Sequence, residues 1–337
     1  MVRILTPVRG IVKQDLEIRR KVLESTVAGK FPMGFEVILL GGAVGDLNCA
    51  DQIVENLKWF SDNPGFWLSL HSPLETYCYG KAETDLTTEK GCETLVKVLR
   101  LAHRMNARLV NLHTQNLHPG VDLLREEISH AEKRRLQARV KDCIMNAMSE
   151  TKFAGSVVLE NMSFPLMGDD RRLRTVESMV YDPLVNSIDD ISYFALTDGI
   201  GICIDTSHYG ITEKALNEVA SRGLTAHDRC KRGILGVTEF DLRPQPKLTD
   251  LPGILGESLM YAHVSDFKDT WIPGTSFFSE GLVPGEGEYG DEIAHFIKAI
   301  AEKDIAINVE IKDHDLTKLH ETKRGIRKVM QTLANTA

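Results

Sequence analysis

Short apolar runs alternate with amphipathic stretches along the whole of this 337-residue chain. The apolar runs are VRILTPV, FEVILLGG, FWLSLHSP, ARLVNLHT, GSVVLENM, GIGICIDTSH, LMYAHVSD and IAINVEIKD. Each is rich in Val, Ile and Leu and is bounded by Gly, Pro or a polar cluster, as strands buried on both faces are. Between most of them lie helical patterns such as ADQIVENLKWF, GCETLVKVLRLAHRM, ISHAEKRRLQARVKDCIMNAM and GDEIAHFIKAIAEK, and the chain closes on HETKRGIRKVMQTLA. Eight strands in βα alternation predict an α/β fold: a single (β/α)8 TIM barrel with extended loops on its C-terminal face. A doubly wound open sheet is the competing architecture. It requires a Gly-rich phosphate turn after the first strand, and LTPVRGIVKQ carries no G-x-G-x-x-G.

No linker divides the chain, so residues 1–337 are expected to form one domain. The most Pro-rich stretch, TEFDLRPQPKLTDLPG, reads as part of an insertion at about 224–256, because the alternation resumes after it. Two other long connections follow the fifth and seventh strands and would rise over the C-terminal face, where barrel enzymes keep their sites. In the first of these, Arg171, Arg172 and Arg174 are placed either to grip a phosphate or simply to start a solvated helix. In the second, VPGEGEYG either brings backbone close to a ligand or serves as a plain loop.

Composition narrows the classes. A formal net charge of −8 argues against a surface coated in basic residues for nucleic acid or anionic lipid, without excluding a local basic groove. No apolar run approaches the ~20 residues of a membrane span, and the N-terminal stretch is too charged for a signal peptide. The six cysteines show no C-x-x-C pairing and are expected as reduced thiols in a cytoplasmic protein. There is no G-x-S-x-G and no P-loop, so nucleophilic-serine and NTPase readings have nothing to rest on. The chain alone leaves open whether copies assemble into a homo-oligomer.

Chemistry enters as a pattern across the strands. His71 stands near the end of the third, His113 of the fourth, Glu160 of the fifth, Asp205 and His208 of the sixth, His263 of the seventh and Glu310 of the eighth. A lone His or Glu at a strand end is more often a packing residue or a surface charge. Three carboxylates converging on one barrel mouth are another matter, because desolvation and repulsion would cost several kcal/mol each without a neutralising cation. Few basic residues lie near, Lys268 and Lys312 being the main ones. A divalent metal is therefore expected, and mixed His and carboxylate ligation suits Zn, Mn, Co or Fe better than Ca. Lys268 and Trp271, after the seventh strand, are further candidates for substrate contact. Trp271 belongs with Tyr77, Tyr79, Phe277 and Phe278 to a set of loop aromatics suited to stacking on a sugar ring or a base, or to plain packing.

At these residues the sequence resembles the xylose-isomerase-like barrel superfamily, which includes endonuclease IV and metal-dependent sugar isomerases and epimerases. The motifs that carry the resemblance are LENM, CIDTSHYG, HVSDFKD with PGEG after it, and VEIKD, and it extends over roughly residues 2–333. In the epimerase branch the resemblance implies one metal held by Glu160, Asp205, His263 and Glu310, with His208 on a substrate oxygen. In the endonuclease IV branch it implies His71 and His113 joining Glu160 around a further zinc, hence one or two ions per chain. A third zinc of that branch would need His208 and an Asp-x-His after the seventh strand, where this chain has SFFSEGLVPGEG.

Two mechanisms follow. In the first, a sugar or sugar phosphate is isomerised or epimerised, Glu160 and Glu310 exchanging a proton as base and acid while His208 orients a hydroxyl. In the second, a phosphate ester is hydrolysed, with abasic DNA as the nucleic-acid partner and His71 and His113 required. A non-catalytic barrel that keeps a metal or binds a carbohydrate is a third class, and it has no need of an open ring of ligand-type residues.

Overall fold

Eight strands pair in parallel and close into a ring. The computed structural model describes residues 2–27, 29–40, 45–74, 83–163, 180–231, 234–268, 279–313 and 315–335. The barrel strands are β1 (Ile4–Val8), β2 (Met33–Leu40), β3 (Phe66–Leu74), β4 (Leu109–Leu112), β6 (Ser156–Glu160), β8 (Ile200–Asp205), β9 (Leu259–Val264) and β12 (Ala306–Val309). Their order runs β1-β12-β9-β8-β6-β4-β3-β2, and β1 also pairs β2, so the sheet has no edge. Two small antiparallel pairs sit apart from it: β5 (His118–Pro119) with β7 (Val180–Tyr181), and β10 (Asp266–Lys268) with β11 (Ser279–Leu282).

The outer layer is helical: α1 (Lys13–Thr26), α2 (Ala50–Ser61), α3 (Glu89–Arg104), α5 (His130–Thr151), α6 (Ile188–Ala195), α7 (Thr206–Arg222), α10 (Glu292–Glu302) and α11 (His320–Ala334). Shorter helices α4 (Gly120–Arg125), α8 (Ala226–Lys231) and α9 (Leu251–Leu255) fill connections, the last two within the stretch expected as an insertion. The helices form because their apolar positions share one face, and several start on a side-chain cap. Thr88, Ser129 and Ser187 each accept a hydrogen bond from a backbone N–H in the first turn.

Side chains two apart along a strand point the same way, so the core around the barrel strands has an outer part and an inner part. The larger part packs strands against helices. A smaller one, built from Leu5, Leu109, Val158, Cys203, Tyr261 and Ala306 with Trp67 against it, fills the barrel interior. Two residues further along β6, β8 and β9 the same inward rows reach Glu160, Asp205 and His263. An apolar plug thus forms the floor of the site.

Cysteine usage departs from expectation. Cys92 on α3 and Cys143 on α5 form a disulfide across a sequence separation of 51, with Cα atoms 5.3 Å apart. These helices pack side by side on the outside of the barrel, a proximity that spacing along the chain does not reveal. Among the described residues Cys49, Cys203 and Cys230 are free. No helix among them is long and apolar enough to cross a membrane.

A buried ionic cluster ties the stretch after α8 to the barrel helices. Lys133 Nζ on α5 donates to Asp190 Oδ2 at 2.7 Å and to Asp241 Oδ2 at 2.9 Å, and all three side chains are excluded from solvent. Ser187 and Gln137 add further donors to these carboxylates.

Candidate metal centre

Strand register sets the height of each ligand-type side chain. Asp205 on β8 lies opposite His263 on β9, and His263 lies opposite Asn308 on β12, two residues before Glu310. On the other side His71 is in register with Asn111, two residues before His113. All therefore open onto the C-terminal end of the barrel.

The structure brings six of the expected residues into two clusters that share Glu160. Ligand atoms of Glu160, Asp205, His263 and Glu310 lie within 4.8 Å of one another, and so do those of His71, His113 and Glu160. His263 Nδ1 sits 2.7 Å from Glu310 Oε2, 3.3 Å from Glu160 Oε1 and 4.0 Å from Asp205 Oδ2. His113 Nε2 is 3.3 Å and His71 Nε2 3.4 Å from Glu160 Oε2.

Fold and site together invite comparison with known proteins. The sequence matches the family described as xylose isomerase-like TIM barrel over residues 33–336. The chain belongs to that family. Among solved structures it is similar to a D-psicose 3-epimerase with D-tagatose from Clostridium cellulolyticum, at 12% identity over 100% of this chain and 98% of that one, with a TM-score of 0.57. It is also similar to endonuclease IV from Thermus thermophilus, at 13% identity over 99% of both chains and a TM-score of 0.54. A third similar structure is the IolI protein with a binding zinc atom, at 12% identity, 99% and 97% coverage and a TM-score of 0.56. At such identities the likeness concerns the fold. No curated protein matches the sequence significantly.

The chemistry of the two clusters that share Glu160 fits a cation. His263 Nδ1 and His113 Nε2 are buried ring nitrogens without a hydrogen-bond partner, each facing carboxylate oxygens. A buried polar atom left unsatisfied is costly, and a metal is what a lone pair in such company accommodates. Burial would raise the Glu160 carboxyl, but the charges of His263 and His113 and their hydrogen bonds hold it well below the usual range. Burial lowers the His113 imidazole against the opposing pull of Glu160, which favours the neutral ring a metal ligand needs. Burial opposes charge on His71 as well, but there the hydrogen bond it donates to Glu160 and the charges of Glu36 and Glu160 outweigh it and raise the imidazole. Two other groupings do not fit. Cys203 lies near Glu160 and His263, but burial pushes its thiol well up, away from the thiolate a metal needs. Asp189, Asp190 and Asp241 also converge, but the Lys133 ammonium already fills that place.

His208 occupies a different position from the one a strand end suggests. Helix α7 starts at Thr206, and Asp205 is its cap, accepting from the His208 backbone N–H at 2.7 Å through Oδ1. That leaves Oδ2 turned toward His263. The His208 ring is engaged at both nitrogens: Nδ1 donates to Asn161 O at 3.0 Å, and Nε2 lies 3.4 Å from Glu280 Oε2. Burial opposes its charge, but Asp205 and Glu280 lift the imidazole to about 10.

Three contributors escaped the sequence reading. Glu36, on β2, is buried within hydrogen-bond distance of His263 Nε2. Glu280, on β11, meets His208 and the Lys312 ammonium. Asn111 donates to Glu160. Glu36 left a signal, since a carboxylate inside the run FEVILL stands on the row that alternation turns inward. Of the remaining candidates, Lys268 is exposed on β10. Trp271, Tyr77, Tyr79, Phe277, Phe278, Arg171, Arg172 and Arg174 lie outside the described residues.

Proposed function

We propose that the protein is a divalent-metal-dependent isomerase or epimerase acting on a sugar or sugar phosphate. The observation that carries this reading is the convergence of Glu160, Asp205, His263 and Glu310 within 4.8 Å at a barrel mouth. Epimerases of similar fold add support, an L-ribulose 3-epimerase and a D-psicose 3-epimerase among them.

Those four residues would hold the cation, which when bound would polarise a substrate carbonyl and acidify the neighbouring C–H. Glu160 and Glu310 then move the proton. Their environments differ, as an acid and base pair requires: the Glu160 side chain is 2% exposed and that of Glu310 is 38% exposed. His208, held at Nδ1 by Asn161, would contact a substrate hydroxyl through Nε2 in exchange for Glu280. Lys268 is assigned to substrate contact, with Trp271 proposed beside it from the sequence alone, and His71 and His113 remain available for a second ion.

That second cluster favours one further reading, hydrolysis of a phosphate ester at a two-metal centre. Against it stands the stretch after β10, where Glu280 rather than an Asp-x-His faces His208.

Metal content per chain, a sugar panel and an abasic oligonucleotide test both readings. One ion with sugar turnover supports the first. Two or more ions with incision of abasic duplex, and no sugar turned over, would replace it with the second. Glu160→Gln and Glu310→Gln are expected to fold normally and to lose turnover. Ready activity in either variant contradicts the assigned roles.

A further inference from the structure

Glu36 is a carboxylate on the inward row of β2, fully buried in the barrel. Its two oxygens meet two side chains from other strands of the ring, Asn308 on β12 and His263 on β9. Asn308 Nδ2 donates to Oε2 at 2.5 Å, and His263 Nε2 lies 3.0 Å from Oε2 and 3.1 Å from Oε1. A buried carboxylate is an acceptor only, so the atom facing it from His263 must be an N–H. Asn111 Nδ2 also approaches Nε2, at 3.3 Å, but it donates to Glu160 Oε2 instead. The ring is walled in as well, by Tyr261 with centroids 5.3 Å apart and by His71 at 5.9 Å. With Nε2 donating toward Glu36, Nδ1 is the nitrogen that faces Glu310, Glu160 and Asp205, and its lone pair becomes available to a cation that displaces the proton those carboxylates hold there.

We infer that Glu36 is a positioning residue that fixes the tautomer and tilt of His263 and thereby sets how tightly the candidate centre holds its metal. The inference rests on the metal-centred reading above. Hydrogen bonding to the far nitrogen of a metal-bound histidine commonly governs affinity, removal of the partner costing about 10–100-fold. Asn308 occupies one Glu36 oxygen and keeps the carboxylate from swinging away.

Two readouts test this. The first is zinc affinity by competition with a chelating dye, for wild type and Glu36→Gln, with thermal unfolding of the metal-free proteins as a control for folding. The variant is expected to bind about 10–100-fold more weakly at unchanged stoichiometry. The second is independent of metal: nitrogen-15 spectra of the metal-free wild type should contain a protected His263 Nε2–H proton that Glu36→Gln loses. Equal zinc affinity in a folded variant overturns the inference and leaves the functional reading standing. A wild type that binds no zinc defeats the functional reading and the affinity claim with it, while the Nε2–H resonance still decides the pairing. Absence of that resonance in wild type refutes the pairing even if the variant fails to fold.

Discussion

His263 and Asp205 meet their neighbours as proton carriers before they meet a metal. Burial works against charge on His263, but Glu160 and Glu36 beside it raise its imidazole well above the ordinary value. Burial, with the charges of Glu160 and Glu310, lifts the Asp205 carboxyl to about 7. A cation needs a neutral imidazole and an ionised carboxylate, so filling the centre must expel protons. Acid competes with metal, and zinc affinity should rise with pH through about 7. Calorimetric titration in buffers of different ionisation enthalpy should count at least one proton released per ion at pH 7; a count near zero contradicts the proton inventory. The positions of the converging side chains were legible in sequence because each polar residue breaks off an apolar run. Glu36 was overlooked although alternation puts it on the inward row, because it lies inside such a run, where a single charged letter looks like an exposed strand position until register and burial are known.

At the scale of elements, a buried carboxylate organises a loop and a buried ammonium ties helices together. Asp266 accepts backbone N–H bonds from Phe267 at 2.8 Å, Gly285 and Gly287 at 3.0 Å, and Tyr289 at 3.2 Å, which folds VPGEGEYG around one side chain. A Cβ on Gly287 would collide with Asp266 and with Phe267 O, which explains that glycine by close approach. Asp266→Ala strands these donors and should cost roughly 3 kcal/mol, with faster amide exchange confined to 283–290. Unchanged exchange there contradicts the organising role. The helical partner is Lys133. Lys133→Met leaves Asp190 and Asp241 buried without their cation and should destabilise by about 3–5 kcal/mol in denaturant unfolding; a loss below about 1 kcal/mol would show that water reaches the pair. Helices were read to within a few residues from their apolar faces. The start of α7 was not, because Asp205 serves at once as strand end and helix cap, and pattern alone cannot tell where one becomes the other.

At the scale of the molecule, βα alternation predicted the closed barrel, since eight runs buried on both faces have few other ways to be covered. It could not predict the disulfide, which depends on α3 and α5 being neighbours in space. A cross-link closing a loop of about 50 residues contributes roughly 4 kcal/mol by restricting the unfolded chain. Cys92→Ser should lower the melting temperature, and a reductant should lower that of wild type to the same extent while leaving the variant unmoved. Recovery of both thiols by alkylation without reductant excludes the bond.

Because β1 pairs with both β2 and β12, the ring closes only when its last strand is in place. The ligand-type residues are strung from His71 to Glu310, so a chain emerging from the ribosome carries an incomplete set until translation is nearly finished. Early fragments expose loose imidazoles and carboxylates with no geometry to hold an ion. On the metal-centred reading proposed above, tight ion capture would follow synthesis, and a loaded molecule would certify that the whole ring was made.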